Sequence, residues 1–218
     1  MPQCRSLYFY LIMFPERVCR LCKERTVSSE SGKISFRKFY AAQRKMLTQG
    51  ELAEYSLKIC GNIRSLEAYR NAECVAGFCA LGAEPDLSSL FPEKRFFLPR
   101  FNAEKNAYEM VAIRDWKSDL VMGHYKIWEP RAELEAADIA WCNENLLYLV
   151  PAVACDRSGV RLGRGGGFYD RLLENSVMPK VGVIFSCQLA DELPCVEEHD
   201  VRLDAVVTEN KCLECKTV

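Results

Sequence analysis

Apolar positions change rhythm along the chain, and the changes outline its elements. Ile34, Phe36, Phe39 and Tyr40 recur at roughly helical spacing and predict a helix over 33–46. A second helix is predicted over 49–64. Thr48 and Glu51 form a capping-box pattern ahead of it, and Leu52, Ser56, Ile59 and Ile63 line its buried side. A further helical turn follows over 66–70. The run 73–81 then becomes almost continuously apolar, as in a strand covered on both faces. Asp86 is placed to cap a short helix over 87–91. Strands are predicted over 95–99, over 108–113 as an edge strand, and over 145–150, with 153–155 continuing the last. Two more follow over 180–185 and 205–208, after a short helix over 168–174. The stretches 119–130 and 191–200 read as loops, the second of them acidic. Strand and helix alternate throughout, which predicts an α/β fold: a single-domain, three-layer α/β/α arrangement around a mainly parallel central sheet.

The two ends break this pattern. Residues 1–32 combine an aromatic run, a Cys-Arg patch and Ser28-Ser29-Glu30-Ser31-Gly32, which reads as a linker. The expected division is a poorly ordered extension over 1–32, a domain over 33–210 and a tail over 211–218.

Composition narrows the classes. The chain has 218 residues, 49% hydrophobic and 27% charged, enough for a sizeable core. A net charge of −1 provides no bulk attraction to nucleic acid or membrane, so any anion site must be local. The longest early apolar run, 7–14, has eight residues against the ~20 needed to span a bilayer. Pro15-Glu16-Arg17 follows it instead of a small-residue cleavage site. The twelve cysteines are scattered, and Cys74, Cys79, Cys142 and Cys155 sit in apolar runs as small hydrophobes would. Together these features point to a reducing compartment, the cytoplasm, and to a monomer working on small molecules. Cys19/Cys22 and Cys212/Cys215 are both Cys-x-x-Cys pairs. They leave a four-thiolate zinc site open, although they stand at opposite ends of the chain.

The most distinctive stretch is Arg161-Leu162-Gly163-Arg164-Gly165-Gly166-Gly167-Phe168-Tyr169-Asp170-Arg171. Glycines let backbone N–H groups turn inward onto an anion, and arginines add forked donors that suit phosphate. The helix that follows brings an N-terminus favourable to negative charge. The other reading is a tight surface turn. The stretch is not a P-loop, and Phe168 occupies the third glycine position of a dinucleotide fingerprint. Lys33 and Arg37 lie one helical turn apart, either as a solvated face or as two cations aimed at one polyphosphate. Glu84 follows a buried strand, where ligands gather in open α/β sheets, and is otherwise a loop acid. Tyr125 and Trp128 either stack on a planar ligand or pack down.

Taken in order, these residues resemble the 5-formyltetrahydrofolate cyclo-ligase (methenyltetrahydrofolate synthetase) family. The resemblance is carried by Lys33-x-x-x-Arg37, Glu84, Leu98-Pro99-Arg100, Glu129-Pro130, Val150-Pro151, Asp156, Gly159, the glycine stretch, and His199 to Asp204 with Thr208-Glu209. It covers about 33–209. The resemblance implies an enzyme that closes 5-formyltetrahydrofolate to 5,10-methenyltetrahydrofolate, using ATP and magnesium and releasing ADP and phosphate. It further implies that Lys33, Arg37 and Arg161, Leu162, Gly163, Arg164, Gly165, Gly166, Gly167, Phe168 and Tyr169 bind ATP. Cys79, Glu84, Arg164, Gly165, Gly166, Gly167 and Phe168 would contact the folate, and Asp170 and Asp200 would hold Mg2+. Arg164, Lys33 and Arg37 would stabilise the reacting charge. Some family members carry lysine where this chain has Gly166, and a thiol, Cys79, replaces an apolar folate contact. The alternative is a non-catalytic paralogue that binds folate or nucleotide on the same scaffold. Asp170→Ala and Arg164→Ala are expected to cost far more activity than stability.

Overall fold

The computed structural model describes residues 29–123, 127–137, 145–193 and 200–215. Cys19/Cys22, His124, Tyr125 and the acidic run Glu197-Glu198-His199 lie outside them. Helix α1 spans Ser29–Lys45, so the predicted linker already contributes the first turn of that helix. Helix α2 (Gln49–Ser65) opens on the expected capping box. The Thr48 hydroxyl accepts from the Glu51 N–H at 3.2 Å, and the Glu51 carboxylate accepts from the Thr48 N–H at 2.8 Å. Its buried stripe is Ser56, Ile59, Cys60 and Ile63, with Leu52 partly buried against the same core, so Cys60 joins the positions expected. Helix α3 (Glu67–Asn71) follows directly.

Strand β1 (Cys74–Ala76) is shorter than the apolar run suggested. The run continues because Phe78 and Cys79 line a cavity, not because they pair in the sheet. Beyond it, the Asp86 carboxylate accepts from the Ser88 N–H at 2.9 Å, but Leu87 holds the cap position of the 3-10 turn Ser88–Glu93, so Asp86 stands one residue ahead of the cap position expected of it. Strands β2 (Arg95–Asn102) and β3 (Ala107–Ile113) form an antiparallel hairpin, with β3 at the sheet edge as predicted. The stretch 119–130, read as loop, contains two short paired strands, β4 (Leu120–Met122) and β5 (Trp128–Pro130). Each has only three residues, and Val121, Met122 and Trp128 are exposed, so no alternation marks them.

Strand β6 (Leu146–Pro151) is fully buried up to its closing proline. The predicted continuation is instead a separate strand, β7 (Ala154–Asp156), in a small second sheet with β8 (Arg161–Leu162) and β10 (Leu189–Ala190). The Gln188 side-chain amide donates to the Ala152 and Val153 carbonyls at 3.0 and 2.9 Å, satisfying the backbone at that break. After the glycine stretch come helix α4 (Phe168–Leu173), strand β9 (Lys180–Val183), strand β11 (Ala205–Val207) and strand β12 (Cys212–Glu214). The predicted tail therefore contributes an edge strand, antiparallel to β11.

The main sheet runs β12-β11-β9-β6-β1-β2-β3. Its inner pairs are parallel and its two outermost pairs antiparallel. One face packs Val75, Phe96, Leu147 and Val181 against Ile59 and Ile63 of α2 and Tyr69 of α3. The other packs Ala76, Phe97, Val150 and Val206 against Leu173 of α4. These faces make the three layers. Each fully buried aliphatic or aromatic side chain contributes about 1.5–3 kcal/mol. Helix α1 instead lays Phe36 and Tyr40 on the small sheet, against Val153, Ala154, Val160 and Leu162.

Candidate active site

Just past the ends of β1 and β6, a cavity of about 1080 Å³ opens between α1, the glycine stretch and the β4–β5 ribbon. Its lining includes every residue for which the resemblance implied an ATP, folate or metal contact: Lys33, Arg37, Cys79, Glu84, Arg161 through Asp170, and Asp200. Their convergence has local causes. The Asp156 carboxylate caps the turn entering the stretch. One oxygen accepts from the N–H groups of Ser158 and Val160 at 2.9 and 3.1 Å, and the other from Leu193 N–H at 3.0 Å. Strand β8 then delivers Arg161 and Leu162. Gly165 and Gly167 adopt φ of 98° and 63°, left-handed backbone that side chains resist. Gly167 caps α4 in this conformation.

Helix α1 holds the loop from one side. Arg37 Nε donates to the Gly163 carbonyl at 2.9 Å, and its guanidinium lies 3.6 Å from where a Cβ on Gly165 would stand. One turn earlier, Lys33 Nζ pairs with Asp200 Oδ2 at 3.3 Å. Arg161, with its side chain only 4% exposed, pairs with Asp170 Oδ1 and lies over the Tyr169 ring at 5.8 Å. Asp170 Oδ2 accepts no hydrogen bond among the described residues. Arg164 crosses the cavity and donates from Nη2 to Glu84 Oε1 at 2.6 Å. Glu84 is buried, and its Oε2 accepts from Leu81 N–H at 3.0 Å.

The remaining walls carry residues to which the sequence assigned no ATP, folate or metal contact. Phe78, Leu81, Tyr108, Trp128, Glu129 and Arg171 all line the cavity. Tyr108 and Phe168 have ring centroids 4.6 Å apart. Trp128 is 46% exposed at the cavity, so it does not pack down. Glu129 was visible only as part of the Glu129-Pro130 pair; its burial identifies it as more than a loop acid. Two ionisable groups of the lining are shifted upward by burial. Burial, with the charges of Asp86 and Glu129, pushes the Cys79 thiol up to about 12. Burial, with Glu84 adding, also raises the Tyr169 hydroxyl. Neither is suited to be a nucleophile or base.

The cavity thus joins cationic side chains and a glycine-rich backbone to a buried carboxylate and aromatic walls, and neither Cys79 nor Tyr169 is primed as a nucleophile. Asp170 and Asp200 both bring carboxylate oxygens to the cavity lining, hard donors of a kind that suits Mg2+. This ion takes one or two carboxylates and completes its shell with phosphates and water. The zinc reading fares differently. Cys212 packs into the core on one face of the sheet and Cys215 into the core on the other, so this pair does not present two thiols to one metal.

Residues 29–209 match the 5-formyltetrahydrofolate cyclo-ligase family, from the first residue of α1 to just before β12. The chain belongs to this family. It is 34% identical to the 5-formyltetrahydrofolate cyclo-ligase of Escherichia coli (strain K12) over 180 residues, 79% of this chain and 97% of that one. To the cyclo-ligase of Mus musculus it is 23% identical over 198 residues, 84% of this chain and 97% of that one. The solution structure of Aquifex aeolicus 5,10-methenyltetrahydrofolate synthetase superposes with a TM-score of 0.72 at 33% identity, covering 85% of this chain and 94% of that one. The cyclo-ligase family match thus spans α1 through β11 and every cavity residue, and it leaves β12 outside. The protein is accordingly an enzyme of the ligase class.

Proposed function

We propose that the protein converts 5-formyltetrahydrofolate to 5,10-methenyltetrahydrofolate, with ATP consumed and ADP and phosphate released. The observation that carries this reading is the cavity itself. Anion-holding groups (Lys33, Arg37 and the glycine stretch) share it with a buried carboxylate, Glu84, and with aromatic walls. The formyl oxygen is a poor leaving group, so it is phosphorylated before displacement. That oxygen attacks the γ-phosphorus as ADP departs, N10 then attacks the formyl carbon, and the oxygen leaves as phosphate while the ring closes. Such a reaction needs positioning and charge stabilisation more than covalent help from the protein.

In this reading Lys33, Arg37 and the loop N–H groups hold the triphosphate, with Arg161 to Tyr169 wrapping the nucleotide. Glu84 accepts from the pterin N–H and amino groups. Cys79 and the backbone from Gly165 to Phe168 bound the folate. Arg164 lies between the two substrates and stabilises charge on the group passing between them. Asp170 and Asp200 hold Mg2+, which when bound neutralises phosphate charge. The test is incubation of purified protein with Mg-ATP and 5-formyltetrahydrofolate, following the near-ultraviolet absorbance of the methenyl product. Growth of that band dependent on both substrates is expected; none at saturating substrate overturns the reading.

A further inference from the structure

Arg44 lies outside every assignment above, yet it carries two buried nitrogens that are unbonded among the described residues. Its side chain is only 11% exposed, and Nε and Nη1 are buried without a hydrogen-bond partner among the described residues. The acid facing it is Glu84, whose Oε1 lies 3.9 Å from Nη1. The other charged or ionisable groups facing Arg44 are Arg164, across Glu84, and the thiol of Cys187. Burial pulls the guanidinium's pKa down, and the Glu84 charge opposes that pull. A buried cation with unbonded nitrogens and one long ion pair is a poor contributor to stability, since desolvation offsets most of the attraction.

Its position supplies the missing reason. Lys33, Arg37 and Arg44 are spaced by four and then seven residues, which sets them within about 40° on α1 and spreads them over about 16 Å. The stripe begins at Asp200 and ends at Glu84. Glu84 has a second cation, Arg164, at 2.6 Å, but that side chain is 51% exposed and rides on the glycine loop. Arg44 is the shielded counter-charge on a rigid helix, and Arg164 the exposed one on a loop.

We infer that Arg44 is a positioning residue for folate: it fixes the Glu84 carboxylate and keeps its charge balanced when Arg164 turns to phosphate. Helix α1 thereby serves both substrates, the nucleotide through Lys33 and Arg37 and the folate through Arg44 and Glu84. This inference rests on the proposed reaction, and its test separates the two. Arg44→Met keeps the stem and removes the charge; Arg44→Lys keeps the charge. Both are measured in the full chain for turnover, for direct calorimetric binding of 5-formyltetrahydrofolate and for thermal unfolding, alone and combined with Glu84→Gln.

Arg44→Met is expected to weaken folate binding and raise the folate KM by about tenfold. The KM for ATP should stay within about twofold and the unfolding temperature should hold or rise. Arg44→Lys should recover part of the folate affinity, and Arg44→Met should add little once Glu84→Gln is present. Unchanged folate binding in Arg44→Met, full additivity with Glu84→Gln, or failure of Arg44→Met to fold each overturns the inference; the last would assign Arg44 to the scaffold. A wild type that binds folate without turning it over overturns only the proposed reaction, and one that binds no folate overturns both.

Discussion

Asp170 answers to two neighbours. It faces the proposed metal position, and it is the carboxylate that pairs Arg161, whose side chain is almost wholly buried with Nε unbonded. Replacing it with alanine strands that guanidinium at a cost of about 3–5 kcal/mol, so the expectation that Asp170→Ala spares stability does not survive the structure. Asp170→Asn keeps an acceptor for Arg161. It should unfold within a few degrees of wild type while activity at limiting magnesium falls at least tenfold more than at saturating magnesium; equal loss at both would argue against metal holding. Arg164→Ala is the cleaner probe of chemistry, because its side chain is half-exposed. The Cys79 thiol, raised to about 12, stays protonated across the physiological range. Its alkylation by iodoacetamide at pH 8, followed by mass spectrometry, should be slower than that of a free thiol by orders of magnitude. At this scale residue types were legible and pairings were not. The sequence contains Arg161, Arg164, Asp170 and Glu84, but only folding decides that arginine and acid meet as Arg161–Asp170 and Arg164–Glu84.

Elements defined by local chemistry were legible. The Thr48/Glu51 box marked the start of α2 to the residue, and the apolar runs marked β6 and β9. Elements defined by their neighbours were not. Strand β7 leaves the main sheet although its sequence reads on from β6, and β4 and β5 are too short to show a period. Arg44, the third cation of the stripe on α1, was missed because a seven-residue spacing is conspicuous only once Lys33 and Arg37 are known to share a half-buried helix face. Within the glycine stretch, conformation ranks the positions. Gly165→Ala places a side chain at positive φ beside the Arg37 guanidinium and should cost about 1–2 kcal/mol and disturb the loop. Gly166 has ordinary φ and open space around it, so Gly166→Ala should leave denaturant midpoints almost unchanged. The β2–β3 hairpin carries one acid dependence. Arg100, then Asn102, hold the Glu109 carboxyl below its usual range. A depressed folded-state pKa gives stability that is present above the unfolded value near 4.5 and lost as pH falls through the folded one. Arg100→Met should therefore flatten the stability profile below about pH 4.5 relative to wild type in urea titrations.

For the whole molecule, the proposal that one cavity serves two substrates predicts that binding is visible as stability. At a hundredfold excess over Kd a ligand adds about 2.7 kcal/mol. For a chain of this size that raises the unfolding temperature by about 5–10 °C. Mg-ATP and 5-formyltetrahydrofolate should each do so, and Lys33→Ala should remove most of the ATP shift alone; an undiminished shift would place the nucleotide elsewhere. No helix among the described residues is long and apolar enough to cross a membrane. The last strand has a separate consequence. Strand β12 carries no cavity residue and lies beyond the family match, yet it covers Ala205-Val206-Val207, which it keeps out of water. With it gone, an apolar strand with unpaired N–H and C=O groups becomes the border of the sheet, a template for a neighbouring copy. Cut after residue 210, the chain would keep its whole catalytic equipment and become a stickier protein, eluting as larger species on gel filtration while its monomer still turned over.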